Sequence, residues 1–272
     1  MKRLIMITFV SIFCVGLSVY LLFELNAANK QIVVPNKKIP TIFIHGYRGN
    51  DRTFHGMIRR FEQKYHWGTE ALTIHVSPEG KISTTGHYST KQKNPLINII
   101  FDNSHATLIQ QSIWTKNALL FLKKKEHITK FNAVGHSMGG GAWTAYLATY
   151  EKNPDVPRVE NIIFLGVPLY PEEYINGAAP AVLNNTELLH NRFAKKISKA
   201  IPKDVNVLII GGDLKNGTKS DGVVNLSSVL YGKKLFPYQK VKTKIIRGSK
   251  ATHSNLHELP SIDYTIADFL FK

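Results

Sequence analysis

The sequence is nearly devoid of cysteine, with one, Cys14, in 272 residues. It lies inside an N-terminal apolar run, so the rest of the chain has no thiol and cannot form an intrachain disulfide. Stability must come from packing, which a domain of roughly 240 residues can supply. Acidic residues are also scarce: 19 stand against 35 Lys and Arg, a formal net charge of +16. That balance suits anionic surroundings such as membrane headgroups or a polyanionic cell wall, or else is a lysine-rich habit of composition. Nucleic acid is not indicated, because the chain lacks an aromatic-plus-basic signature, finger spacing and a basic zipper. Its histidines show no metal-ligand spacing, since His257-Glu258 has no second histidine to complete H-E-x-x-H. No metal and no cofactor are therefore expected. Internal repeats and low-complexity tracts are absent, and 43% hydrophobic content suits a globular core.

One long stretch has no charge at all. Lys2 and Arg3 precede Leu4 to Phe23, an uncharged run long enough to span a bilayer as a helix. Residues 1–30 thus read as a signal peptide or, by preference, an uncleaved anchor, because NAAN (Asn26 to Asn29) resembles a cleavage site only weakly. The chain is expected to be exported, at the cell surface or beyond it. An exported, basic, disulfide-free protein suits a bacterium, and the sequons at Asn184, Asn216 and Asn225 then carry no glycan.

From residue 31 onward, short apolar runs alternate with helical patterns. Strands are predicted at Thr41–Gly46, 71–77, 131–134, 161–168, 205–212 and 241–248, with two more inside 81–88 and 95–101. Helices are predicted at 53–65, 107–125, 142–152 and 262–271. Uniformly apolar strands alternating with helices imply a mostly parallel sheet covered on both faces. Residues 169–203 carry no strand pattern and read as a helical insertion over the sheet, a candidate lid.

The stretch Phe131 to Trp143, FNAVGHSMGGGAW, contains G-x-S-x-G between a predicted strand and a predicted helix. Glycines permit a tight, strained turn that exposes the Ser137 hydroxyl above the sheet. The same turn places the Met138 amide at a helix N-terminus, where developing negative charge is favoured. A serine needs a base and the base needs an orienting acid, here expected in the order serine, acid, histidine. Asp221, in Asp-Gly-Val-Val, is preferred as the acid over Asp213 at the strand end. His253, directly after the last strand, is preferred as the base, with His257 the alternative. The Tyr47 amide, after His45-Gly46, is the second expected oxyanion donor. His45 and His136 read as bracing or packing residues.

IFIHGYRGN, GHSMGG, SDGVV and THSNLHE, in this order, resemble the cell-surface α/β-hydrolases of bacteria, a family of poorly defined substrate. The similarity covers most of the chain after the N-terminal segment. It implies an α/β-hydrolase fold, a triad at Ser137, Asp221 and His253, and carboxylic ester hydrolysis with lipase-like relatives. Because a Leu-His-Glu stretch recurs in that family, the resemblance does not itself choose between His253 and His257. The function expected is a serine ester hydrolase acting through an acyl-enzyme. Its rivals are an acyltransferase using the same triad and a non-catalytic basic module binding an anionic surface.

Overall fold

A computed structural model describes residues 32–169 and 194–272. The N-terminal apolar run and most of the 169–203 insertion lie outside the described residues. The chain divides at Val33/Val34, and the larger unit, Val34–Lys272, contains the sheet and its helices.

Strands β1 (Thr41–Ile44), β2 (Thr69–Val76), β3 (Ile82–Gly86), β4 (Pro95–Phe101), β5 (Lys130–His136), β6 (Arg158–Leu165), β7 (Asn206–Asp213) and β8 (Lys240–Arg247) form one sheet. Their order is β3-β2-β4-β1-β5-β6-β7-β8. All pairs are parallel except β2 with β3. Strands β1 and β4, at the centre of the sheet, are buried at every position. The edges differ: β3 is largely exposed, and KVKTKIIR in β8 turns lysines to solvent, which blunts an edge against strand addition.

Side chains alternate across the sheet with period two. On one face Ile42, Ile44, Ala133, Ile162, Phe164, Val207 and Ile209 join a core with Trp114 and Trp143. These tryptophans come from α2 (Leu108–Lys125) and α3 (Met138–Tyr150). Phe43 faces the other way, its ring 5.1 Å from Phe54 of α1 (Arg52–Arg59). There α1 continues into a π-helical turn, Arg60–Lys64, that meets the C-terminal helix, labelled α6 here (Pro260–Phe271). Arg60 donates to both carboxylate oxygens of the fully buried Asp263. Two short helices, α4 (Leu226–Leu230) and α5 (Gly232–Leu235), follow β7 and were not legible as periodic patterns.

α3 begins four residues before the predicted helix at Ala142, so Gly139 to Gly141 are helical despite their poor propensity. Packing overrides propensity here, because a Cβ on Gly139 would lie 2.2 Å from the carbonyl oxygen of Ile44. At the foot of α3, burial pushes the Glu151 carboxyl from an ordinary 4.5 up to about 8. The folded chain then keeps a proton that the unfolded chain releases, so stability falls as pH rises between those values. Glu151→Gln should remove this slope. Its melting temperature should exceed the wild-type value at about pH 9, with the gap closing toward about pH 5.

Candidate active site

The carboxyl ends of the parallel strands carry every group the motifs singled out. At the end of β5, Ser137 has φ 51° and ψ −126°, a strained conformation for a residue with a side chain. The turn closes because Gly135 lacks a side chain: a Cβ there would lie 2.6 Å from Gly140 Cα. Ser137 N–H donates to Leu165 O at 2.9 Å, tying the turn to β6. Met138 is the first residue of α3, so its amide has no acceptor within the helix. The loop after β1 lies directly against this turn, since a Cβ on Gly46 would stand 2.9 Å from Ser137 Cβ. That places the backbone preceding Tyr47 beside the serine.

Asp221 is 2% exposed. Its Oδ1 accepts from the amides of Val223 (2.9 Å) and Val224 (2.7 Å). Its Oδ2 stands 2.7 Å from His253 Nδ1, and its carbonyl accepts from His253 N–H at 2.9 Å. Asp221 therefore holds His253 through both side chain and backbone. With Nδ1–H donating to the carboxylate, the lone pair of the imidazole is left on Nε2.

The competing residues are engaged elsewhere. Asp213 accepts from Lys215 N–H at 3.0 Å and lies within ion-pair reach of Lys215 and Arg247. His257 pairs with Glu258 at 3.1 Å rather than with Asp221. His45 Nδ1 bonds Gly46 O at 2.8 Å, while its Nε2 accepts from Phe101 N–H at 3.0 Å. Burial lowers its pKa and keeps the ring neutral, which suits a loop brace. Among the described residues no group of three or more His, Cys, Asp or Glu side chains is placed to hold a metal ion.

Gly166, directly after β6, escaped the sequence reading. Its φ is +56°, and a Cβ would lie 3.1 Å from both Asp221 Oδ2 and His253 Nδ1 and 2.8 Å from Leu256 Cδ1. It forms the floor under the Asp221–His253 pair, and its neighbour Leu165 holds Ser137. A Gly-Val-Pro run closing a strand was the available signal, but sequence cannot say what the missing side chain would strike. Gly166→Ala should fold and slow reaction of Ser137 with a fluorophosphonate by about 10- to 100-fold, because displacing catalytic groups by about 1 Å costs that much.

Comparison with known proteins agrees with this architecture. A family model described as an alpha/beta hydrolase of unknown function, DUF915, matches residues 28–272. The crystal structure of a Listeria innocua gene product is 32% identical, with TM-score 0.76, covering 86% of this chain and 94% of that one. A Lactobacillus plantarum protein described as a cell surface hydrolase is 24% identical, with TM-score 0.65 and coverages of 85% and 89%. Est1E from Butyrivibrio proteoclasticus shares the fold at 17% identity, TM-score 0.54, and coverages of 87% and 88%. No curated protein matches the sequence. The chain has the α/β-hydrolase fold and belongs to the DUF915 family of α/β hydrolases.

Proposed function

We propose that this protein is an exported serine hydrolase that cleaves carboxylic esters through an acyl-enzyme. The observation that carries the reading is the 2.7 Å contact between His253 Nδ1 and the buried Asp221 carboxylate, beside a strained serine turn. In this scheme His253 Nε2 takes the Ser137 proton as Oγ attacks the ester carbonyl. Asp221 fixes the tautomer and stabilises the imidazolium. The amides of Met138 and Tyr47 receive the oxyanion, and collapse expels the alcohol, protonated by His253. Water, deprotonated by the same histidine, then releases the acid and restores the serine. Nothing beyond the chain's own groups is required for these steps.

The substrate is an acyl or lipid-like ester at an anionic surface, membrane or cell wall. The charge-free run Leu4–Phe23 suits export, and the cell-surface description of the Lactobacillus plantarum relative accords with it. The insertion 169–203 is a candidate lid by its place after β6. Of this segment, residues 194–200 are described and helical, with Ile197 buried and Lys195, Lys196 and Lys199 exposed. If those lysines meet headgroups, activity on anionic vesicles should fall steeply with added salt. A flat response would dismiss the surface role.

The decisive experiment is fluorophosphonate labelling with the modified peptide located by mass spectrometry. Labelling at Ser137, lost in His253→Ala and kept in His257→Ala, is the expected pattern. Labelling lost only in His257→Ala would reassign the base, and well-folded protein that never labels would favour the surface-binding module.

A further inference from the structure

His136 immediately precedes the serine and is buried within the candidate site. Its ring packs between His253 (centroids 4.5 Å apart) and His257 (4.6 Å). Its Nε2 lies 3.0 Å from the carbonyl oxygen of His253. A carbonyl only accepts, so Nε2 carries the proton. Nδ1 faces the other way, 3.3 Å from where a Cβ on Gly46 would lie. One side chain thus bonds the base loop and stands beside the loop after β1, in a residue that immediately precedes the serine. Burial, reinforced by the neighbouring His253 and His257, drives its pKa well below 6.5. The ring stays neutral and does not compete with His253 for the serine proton.

The base loop is held at its other end as well. Arg60 donates to His257 O at 3.3 Å and to Glu258 Oε2 at 3.4 Å, while anchored on Asp263. Between these two points runs the 3-10 turn Ser254–His257. Asp221 sets the tilt of the His253 ring, but the distance from Nε2 to the serine depends on where the His253 backbone stands. The carbonyl contact from His136 refers that backbone directly to the strand bearing the nucleophile.

We propose that His136 is a positioning residue, whose Nε2–H holds the His253 carbonyl and thereby sets the register between base and nucleophile. The inference rests on the hydrolase reading of Ser137, Asp221 and His253. It is tested with His136→Phe, which keeps a ring of similar size without the donor, and His136→Gln, whose amide reaches the same carbonyl. The readouts are kcat and KM on a p-nitrophenyl ester, fluorophosphonate labelling, melting temperature, and the downfield NMR signal of the proton between His253 and Asp221.

In His136→Phe, kcat should fall by about 10- to 100-fold with KM essentially unchanged, as for a catalytic group misplaced by a fraction of an ångström to 1 Å. The downfield proton should broaden, and His136→Gln should recover most of both. Should the Phe variant not fold, His136→Gln and His136→Met, of similar length with and without a donor, make the same comparison. A folded Phe or Met variant with wild-type kcat and an unaltered proton signal would overturn the proposal. So would equal impairment with and without the donor, tracking melting temperature, since that is packing alone. Wild-type protein that neither turns over esters nor labels at Ser137 overturns the hydrolase reading itself and takes this inference with it. An active wild type beside an unaffected donor-less variant counts against His136 alone.

Discussion

Ser137→Ala should lower ester turnover by about 10⁴- to 10⁶-fold, the range for loss of a nucleophile whose partners act with it as one unit. Melting temperature should change little. The left-handed backbone at this residue, φ 51°, is imposed by the strand, the helix and the bond to Leu165 O, not by the hydroxyl. Alanine has the same Cβ and accepts the same strain, and no side-chain cap bond is lost, because Ser137 makes none to α3. Residual activity above water is expected from the oxyanion amides and substrate binding. Turnover close to wild type in a preparation free of contaminating esterase would remove Ser137 from the chemistry and with it the proposed function. Circular dichroism and melting beside the kinetics separate that outcome from misfolding.

Asp221→Asn should cost nearly as much, about 10⁴-fold in kcat, with KM little altered. The carboxylate performs two tasks with separate oxygens. Oδ1 accepts from Val223 and Val224, and an asparagine Oδ1 can do the same, so the loop should keep its shape. Oδ2 faces His253 Nδ1, and the amide nitrogen replacing it can only donate. Nδ1 must then become the acceptor, the proton moves to Nε2, and the base has no lone pair toward the serine. Asp213→Asn serves as the control, since that carboxylate is engaged by Lys215 and Arg247. A large loss at Asp213 with none at Asp221 would reverse the assignment of the acid.

Particular residues show how far sequence could reach. Apolar runs mark the central strands where both faces of the sheet are covered: β4, PLINIIF, is buried at every position. The antiparallel edge β3, by contrast, was legible as a strand but not in direction, because pairing leaves no mark on ISTTG itself. The pattern for helix α3 starts at Ala142 because three glycines disguise its first turn, where contact with β1 and β6 matters more than propensity. For the candidate site, residue types and chain order pointed to Ser137, Asp221 and His253, while Gly166 and the contact from His136 to His253 were invisible. The first is a glycine required by what lies above it, and the second joins residues 117 apart in sequence.

The sequence by itself therefore determined the alternation that builds the sheet, the glycine-rich turn that lifts one hydroxyl above it, and the order of candidate partners. These are local matters of period, small residues and turn chemistry, written within a few positions of the chain. Only the tertiary structure decided which carboxylate meets which histidine. Asp213 and Asp221 stand eight residues apart in chain order, as His253 and His257 stand four apart. What separates them is the direction in which each loop leaves β7 and β8. That direction is fixed by amides of Val223 and Val224 on one side, and by Arg60 and His136 gripping backbone carbonyls on the other.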